Sequence, residues 1–449
     1  MEIKNKKISI LGAVRSGIAA AKLASKQGAT PFVSDNSDNG TLRKNILNLD
    51  KLNINYELGV HSEKVFDADL IVTSPGVPSD SKVLFEAVRR KITIISELEF
   101  ASYFCKGKIV GITGTNGKTT TTSLLTYLLN TSGIKTYSAG NIGTAFSEIA
   151  DKVKENEVVS LEVSSFQLDF IKELVPEFAV VLNLTPDHMN RYENSFDKYA
   201  NAKMNITKNQ TAAEKLIVNA DDDILMKKAS NTKANKYFFS TKTKVEKGSY
   251  SNRKWIFYNN GTSSDKVCSI DKLSLRGEHN LSNSLAVVTV AKILGVSNES
   301  IATSLSTFSG VEHRLELVRE INGVKYINDS KATNVDAVWY ALRSFDEPIF
   351  LILGGTDKGN DYSQILELVK ARVKKIYAIG SSAQKVYDYF HSVVKVEIVN
   401  SLKQAVEFAA KEANNNEVVL LSPACASFDM FDNYEHRGKI FKQIINNLN

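Results

Sequence analysis

Lys118 and Thr119 are the residues whose surroundings most directly specify a chemistry. They close the run Gly111-Ile-Thr-Gly-Thr-Asn-Gly-Lys-Thr119, with an apolar stretch, Ile109 to Ile112, leading in and a helix-like segment, Ser123 to Leu129, leading out. A buried strand feeding a glycine-rich turn and then a helix offers backbone N–H groups and a positive helix end to a polyphosphate. In such a loop Lys118 reaches the terminal phosphates and the Thr119 hydroxyl ligates Mg²⁺. The spacing departs from G-x-x-x-x-G-K-[ST], because Ile112 stands where the first glycine belongs and Gly114 lies nearer to Gly117. Further along, Glu162 ends the apolar run Glu157 to Glu162, where a carboxylate holds a nucleotide's Mg²⁺ or caps a helix. His188, in Asn183-Leu-Thr-Pro-Asp-His188, is placed to ligate a divalent metal or to serve as a structural imidazole. Lys203, taken alone, reads as a solvated helix lysine.

Four later loops are also dense in polar groups: Glu312-His313-Arg314, Asn328-Asp-Ser-Lys-Ala-Thr-Asn334, Leu353-Gly-Gly-Thr-Asp-Lys358 and Ser422-Pro-Ala-Cys-Ala-Ser427. The last three follow apolar runs, at the strand ends where open α/β sheets bind ligands. Cys425 has no base assigned to it, so buried packing is its expected role.

The elements that must position these residues read as an α/β protein of three domains. Residues 1–105 alternate strands (8–11, 30–33, 70–73) with helices and form a Rossmann-like N-terminal domain. Its turn, Gly12-Ala-Val-Arg-Ser-Gly17, lacks the middle glycine of G-x-G-x-x-G. It is either a bare tight turn or a diphosphate site at a helix N-terminus, with Arg15 adding charge and Asp35 facing a ribose or base. Residues 106–310 form a central P-loop ATPase domain with a mostly parallel sheet, strands falling at 157–162, 178–182 and 215–219. Polar residues 232–265 read as a surface hairpin or loop. Residues 311–449 form a C-terminal Rossmann-like α/β domain with strands at 324–327, 349–353, 375–379 and 418–421.

The chain has 449 residues, 43% hydrophobic and 24% charged, and a net charge of +6. That balance fits an ordinary globular protein whose dispersed lysines are a solvated surface, so no nucleic-acid partner is expected. Cys105, Cys268 and Cys425 form neither a zinc pattern nor a disulfide framework. The first apolar run, Ile8 to Leu11, is too short for a signal peptide or membrane span, so a cytoplasmic location is expected; a monomer is expected separately, with no sequence feature that fixes it.

Over its whole length the sequence resembles the Mur ligases, ATP-dependent enzymes that add amino acids to the peptidoglycan precursor. The resemblance rests on Gly114-Thr-Asn-Gly-Lys-Thr119, whose spacing is the family's own, and on Gly140-Asn-Ile-Gly143, Leu161-Glu-Val-Ser-Ser-Phe-Gln167 and Pro186-Asp-His188. Glu278-His-Asn280, His313-Arg314 and Asp329-Ser-Lys-Ala-Thr-Asn334 follow in order. Ser422-Pro-Ala-Cys-Ala-Ser-Phe-Asp-Met-Phe-Asp-Asn-Tyr-Glu-His-Arg-Gly438 resembles the members that take D-glutamate, with UDP-N-acetylmuramoyl-L-alanine as acceptor and ATP as co-substrate.

The resemblance implies roles. Gly114, Thr115, Asn116, Gly117, Lys118, Thr119, Thr120, Asn280, Arg314 and Asp329 would bind ATP. Two Mg²⁺ would be held by Thr119, Glu162, His188 and a carbamylated Lys203. His313 and Lys331 would order the phosphates and the intermediate. Arg15, Ser16, Asp35, Asn36, Ser74 and Gly76 would hold uridine diphosphate, and Asn141 the muramoyl group. Thr333, Lys358, Ser427 and Tyr434 (usually Phe in the family) would grip D-glutamate, while the family's acid before that lysine is offset here as Thr356-Asp357. Competing readings are a ligase for L-alanine or a diamino acid, a folylpolyglutamate synthetase, a regulatory ATPase and a dinucleotide oxidoreductase.

Overall fold

Runs of Val, Ile and Leu without polar alternation make strands buried on both faces, which parallel sheets require. The computed structural model describes residues 2–141, 143–357 and 359–448, and they contain three such sheets. In the first, β1 (Lys7–Leu11), β2 (Thr30–Asp35), β3 (Asn55–Leu58), β4 (Leu70–Thr73) and β5 (Thr93–Ser96) lie all parallel in the order β3-β2-β1-β4-β5. The order reverses at β1, so its following turn opens a crevice at the strands' carboxyl ends.

The second sheet holds β6 (Lys108–Thr113), β7 (Thr136–Gly140), β8 (Val158–Glu162), β9 (Phe178–Val181) and β10 (Lys215–Asn219). It continues through β11 (Asn235–Ser240), β12 (Gly248–Ser251), β13 (Trp255–Asn259) and β14 (Ser264–Ser269), in the order β14-β13-β12-β11-β10-β9-β6-β8-β7. Strands from β7 across to β12 are parallel, and β13 and β14 turn antiparallel. Residues 232–265, read from sequence as a surface hairpin or loop, hold β11, β12, β13 and the start of β14: the antiparallel pairing of β12 with β13 and of β13 with β14 fits a hairpin, while β11 and β12 extend the parallel sheet. The loop-like composition comes from half-burial: β13 alternates buried and half-buried positions and only the last half of β14 is covered, so the polar faces dominate the composition. In register, Ile112 of β6 faces Glu162 of β8, and Thr113 faces Val181 of β9. Three loops thus leave the sheet at one level.

The third sheet has β15 (Glu316–Ile321), β16 (Val324–Asn328), β17 (Ile349–Gly354), β18 (Val373–Ile379), β19 (Lys395–Ile398) and β20 (Val418–Leu421). Its order is β15-β16-β20-β17-β18-β19, parallel except at β15.

The chain forms two compact units. Residues 1–274 and 280–308 carry the first two sheets, and residues 275–279 with 309–449 carry the third. Helix starts follow local chemistry. Ser195, Asn334 and Asn433 each accept a backbone N–H of the turn they cap, satisfying donors a helix leaves open.

Candidate active site

The turn after β6 needs glycine twice, with Gly114 at φ +151° and Gly117 at φ +83°. A Cβ on Gly117 would sit 2.3 Å from Asn283 Oδ1. The segment after β9 holds the turn in place. Thr115 N donates to Asn183 O at 3.0 Å, Asn116 N donates to Asn183 Oδ1 at 2.9 Å, and Asn183 Nδ2 returns a bond to Asn116 O at 3.1 Å. Thr115 Oγ1 donates to Thr185 O at 2.9 Å and lies 3.1 Å from the Tyr199 hydroxyl. Lys118 starts the helix Lys118–Thr131, which begins earlier than the expected Ser123; its Nζ donates to Gly114 O at 2.8 Å and Thr115 O at 2.7 Å. Thr119 and Thr120 are buried, and the Thr120 hydroxyl has no hydrogen-bond partner. Asn280 is buried in the helix Glu278–Ile293 and accepts from Ser284 Oγ at 2.8 Å.

Lys203 overturns the reading of a solvated lysine. It is 2% exposed, its Nζ donates to Gly114 O at 2.9 Å, and it lies 4.7 Å from the Tyr199 ring centroid. Burial first, and the Lys118 charge second, hold its pKa well below the ordinary lysine value. Two lysine Nζ atoms therefore meet on the carbonyl of Gly114. Glu162, at the end of β8, is 1% exposed; one oxygen accepts from Asn141 Nδ2 at 3.1 Å, and Oε2 is buried without a partner. A buried carboxylate oxygen left unpaired is costly, and a cation at this oxygen would remove the cost, so the donor set fits Mg²⁺. His188 stands in the left-handed region at φ +53°, its ring 4.9 Å from Phe166 and its Nε2 3.7 Å from Asp187. Among the described residues no three His, Cys, Asp or Glu side chains converge as a metal cluster.

A cavity of about 780 Å³ opens at the carboxyl ends of the first sheet. Arg15 and Ser16 of the helix Arg15–Lys26 line it, with Asp35 ending β2 and Asn36 following it, Ser74 and Gly76 after β4, and Asn141 beyond β7. All seven residues expected from sequence at the nucleotide-sugar site share this one cavity. The Asp35 carboxylate also ties its rim, accepting from Ala13 N at 2.8 Å and Ser37 N at 2.9 Å. His61 lines the same cavity and has no sequence signal of its own.

In the other unit, Asp329 follows β16 and accepts from Ser422 Oγ at 2.8 Å and from Leu315 N at 3.3 Å. Burial pushes its pKa up to about 7 against the pull of Arg314, whose Nε is buried without a partner. His313 is 3% exposed, its Nδ1 2.9 Å from Asn328 Nδ2 and packed against Gly438; burial lowers its pKa. Lys331 donates to the Tyr434 hydroxyl at 3.1 Å. Thr333 is half-buried and Ser427 buried. Asp357 accepts from Lys385 Nζ at 2.7 Å, and Lys358 lies outside the described residues. Cys425 is buried with its thiol pKa raised, as expected of packing.

Three family descriptions match in order: MurD N-terminal domain over residues 7–83, Mur ligase middle domain over 112–291, and Mur ligase, glutamate ligase domain over 313–425. The chain belongs to the Mur ligase family. Among its relatives, the UDP-N-acetylmuramoylalanine--D-glutamate ligase of Chloroherpeton thalassium is 44% identical, covering 100% of this chain and 99% of that protein. The enzyme of the same name from Salinibacter ruber is 42% identical over 100% and 99%. In fold the chain is similar to the UDP-N-acetylmuramate-alanine ligase MurC of Thermotoga maritima (TM-score 0.62, 19% identity, 98% and 99% covered). It is similar also to MurF of Acinetobacter baumannii (TM-score 0.61, 16%, 98% and 93%).

Mur ligases use ATP and Mg²⁺, so the family supplies a reason for the cradle at 114–119. It does not by itself point to Tyr199 or Asn183, which bond the loop from far along the sequence, or to Asn283, which packs beside Gly117. Arg437 was missed as well. It is 1% exposed and donates to Ser330 Oγ and O and to Cys425 O, at 2.8–3.2 Å, joining the loops after β16 and β20.

Proposed function

We propose that this Mur ligase adds D-glutamate to UDP-N-acetylmuramoyl-L-alanine at the expense of ATP, in cytoplasmic peptidoglycan precursor synthesis. The observation that carries the reading is the end-to-end likeness to relatives named for that addition. In this reaction the alanyl carboxylate attacks the γ-phosphate and ADP leaves. The amine of D-glutamate then attacks the acyl phosphate, and the tetrahedral intermediate collapses to amide and phosphate. A carboxylate must approach a polyanion, so the site's main task is to offset charge repulsion. Lys118 supplies one positive charge at the loop. Thr119, Glu162, His188 and carbamylated Lys203 would hold two Mg²⁺, which supply Lewis-acid neutralisation of the phosphates when bound. Carbamylation of Lys203 would provide the additional carboxylate-like donor that the pair Glu162 and His188 lacks.

Asn141 bonds Glu162 and lines the sugar cavity, so it is suited to bring the muramoyl arm to the metal ligands. Gly114 to Thr120, Asn280, Arg314 and Asp329 are assigned to ATP, and His313 and Lys331 to ordering the phosphates. Thr333, Lys358, Ser427 and Tyr434 are assigned to D-glutamate, whose two carboxylates need cationic or N–H donors. Three domains, 1–105, 106–310 and 311–449, divide this labour.

The test is phosphate release from ATP with UDP-N-acetylmuramoyl-L-alanine and Mg²⁺ across a panel of amino acids. Release that depends on D-glutamate is expected. Release with L-alanine or a diamino acid instead would reassign the enzyme within the family, and release independent of any amino acid would end the ligase reading.

A further inference from the structure

His61 follows β3, at the edge of the first sheet farthest from β5. Its ring lines the cavity, and its Nδ1 lies 2.6 Å from the hydroxyl of Ser34, a residue fully buried on β2. That hydroxyl has one proton. Its strongest acceptor is the Glu57 carboxylate at 2.7 Å, which the hydroxyl and backbone N–H of Ser62 also hold in place. With the Ser34 proton committed to Glu57, Ser34 Oγ can only accept from the imidazole. His61 is therefore the Nδ1–H tautomer, and its Nε2, on the edge away from the buried serine, is a hydrogen-bond acceptor. Burial lowers the imidazole pKa, against the pull of the Asp35 and Glu57 charges, which favours the neutral ring. Among the described residues Nε2 makes no hydrogen bond, the ring's one hydrogen bond being at Nδ1.

The order of residues along the cavity says what this acceptor meets. Asn141, bonded to Glu162, marks the end where the reacting carboxylate must arrive. The helix N-terminus at Arg15, above the central strand β1, suits a diphosphate. A ligand stretched between these points leaves its nucleoside over β2 and β3, at Asp35 and His61.

We propose that His61 is a substrate-binding residue at the nucleoside end of this cavity, its Nε2 accepting a hydrogen bond from an N–H or O–H of the nucleoside. The assignment rests on the nucleotide-sugar reading given above. The Glu57–Ser34 pair is the positioning device, because it sets the tautomer.

Titration calorimetry with UMP on the full chain tests this, using His61→Phe, which keeps a ring without the acceptor, and His61→Gln, whose side-chain oxygen can replace Nε2. UMP affinity should fall about tenfold in His61→Phe and stay within about threefold in His61→Gln. The KM for the UDP-sugar should rise in His61→Phe while kcat and the KM for ATP stay unchanged. Two analogues separate the donors: N3-methyl-UMP ought to bind both forms alike if the base N–H is the donor, and 2′-deoxy-UMP if the ribose hydroxyl is. Unchanged UMP affinity in His61→Phe, or equal losses in both variants, would overturn the assignment while leaving the nucleotide-sugar reading intact. If the unsubstituted chain does not bind UMP, that reading fails, and His61 loses its role with it.

Discussion

Lys203 shows how far a single residue's chemistry can depend on where the fold puts it. Carbamylation needs a neutral amine, and a lysine in water at pH 7 is almost wholly protonated. Burial against the Tyr199 ring and beside Lys118 lowers the pKa, raising the fraction of free amine able to add CO₂. The product is an anion, which relieves the repulsion from Lys118 and gives a metal an oxygen donor. Lys203→Ala should therefore lose activity on the order of 100-fold or more, with partial return at high concentrations of a small carboxylic acid. A carbamate carbon signal from ¹³C-bicarbonate should be present in the unsubstituted protein and absent from the variant. Full activity in Lys203→Ala would remove the carbamate from the mechanism. None of this was legible locally: the partner of Lys203 is Gly114, 89 positions away, and only the family resemblance pointed to the residue. Arg437 was hidden for the same reason, since its partners Ser330 and Cys425 belong to other loops.

At the scale of elements, the phosphate loop is a turn that only glycine satisfies, docked on the segment after β9. Gly117→Ala would place a methyl group 2.3 Å from Asn283 Oδ1 at a φ of +83°. The left-handed strain alone costs about 1–3 kcal/mol, and the clash adds to it. ATP affinity should fall at least about tenfold, and Gly117→Ala with Asn283→Ala should recover part of the loss, as binding measurements on both variants would reveal. Equal affinity in Gly117→Ala and the parent would mean the loop does not hold this shape with nucleotide bound. The strands that frame the loop were legible because they are buried on both faces: β8 and β9 run over 158–162 and 178–181, against the expected 157–162 and 178–182. The stretch carrying β11 to β14 was not, because half-covered strands with Lys, Asn and Ser outward resemble loop composition. The cavity residues were legible because each follows a strand's carboxyl end; His61 does too, but β3 is short and only half-buried, leaving no apolar run to announce it.

For the whole molecule, the cores decide which pieces can fold alone. Both faces of the third sheet are covered from within residues 324–445, one by residues such as Val338, Leu351 and Phe390, the other by Tyr377, Val406 and Phe441. A segment of about 140 residues with its own two-sided core is large enough for independent stability. The proposed boundary at 105/106 is different in kind. Leu98 and Ala101, on the helix Glu97–Ser102, belong to the core of the second sheet. Buried Glu99 on that helix accepts from Glu173 N at 2.7 Å and Leu174 N at 2.9 Å. Excising residues 1–105 strips this helix of its apolar cover and leaves a carboxylate without two of its donors, a loss of several kcal/mol. Circular-dichroism melts should then show a cooperative transition for 309–449 and for 1–308, and a much weaker or absent one for 1–105. A fragment 1–105 that melts as sharply, and at the same temperature, as 1–308 would mean that the helix Glu97–Ser102 contributes little. The first two sheets would then be coupled more loosely than the burial of Leu98 and Glu99 requires.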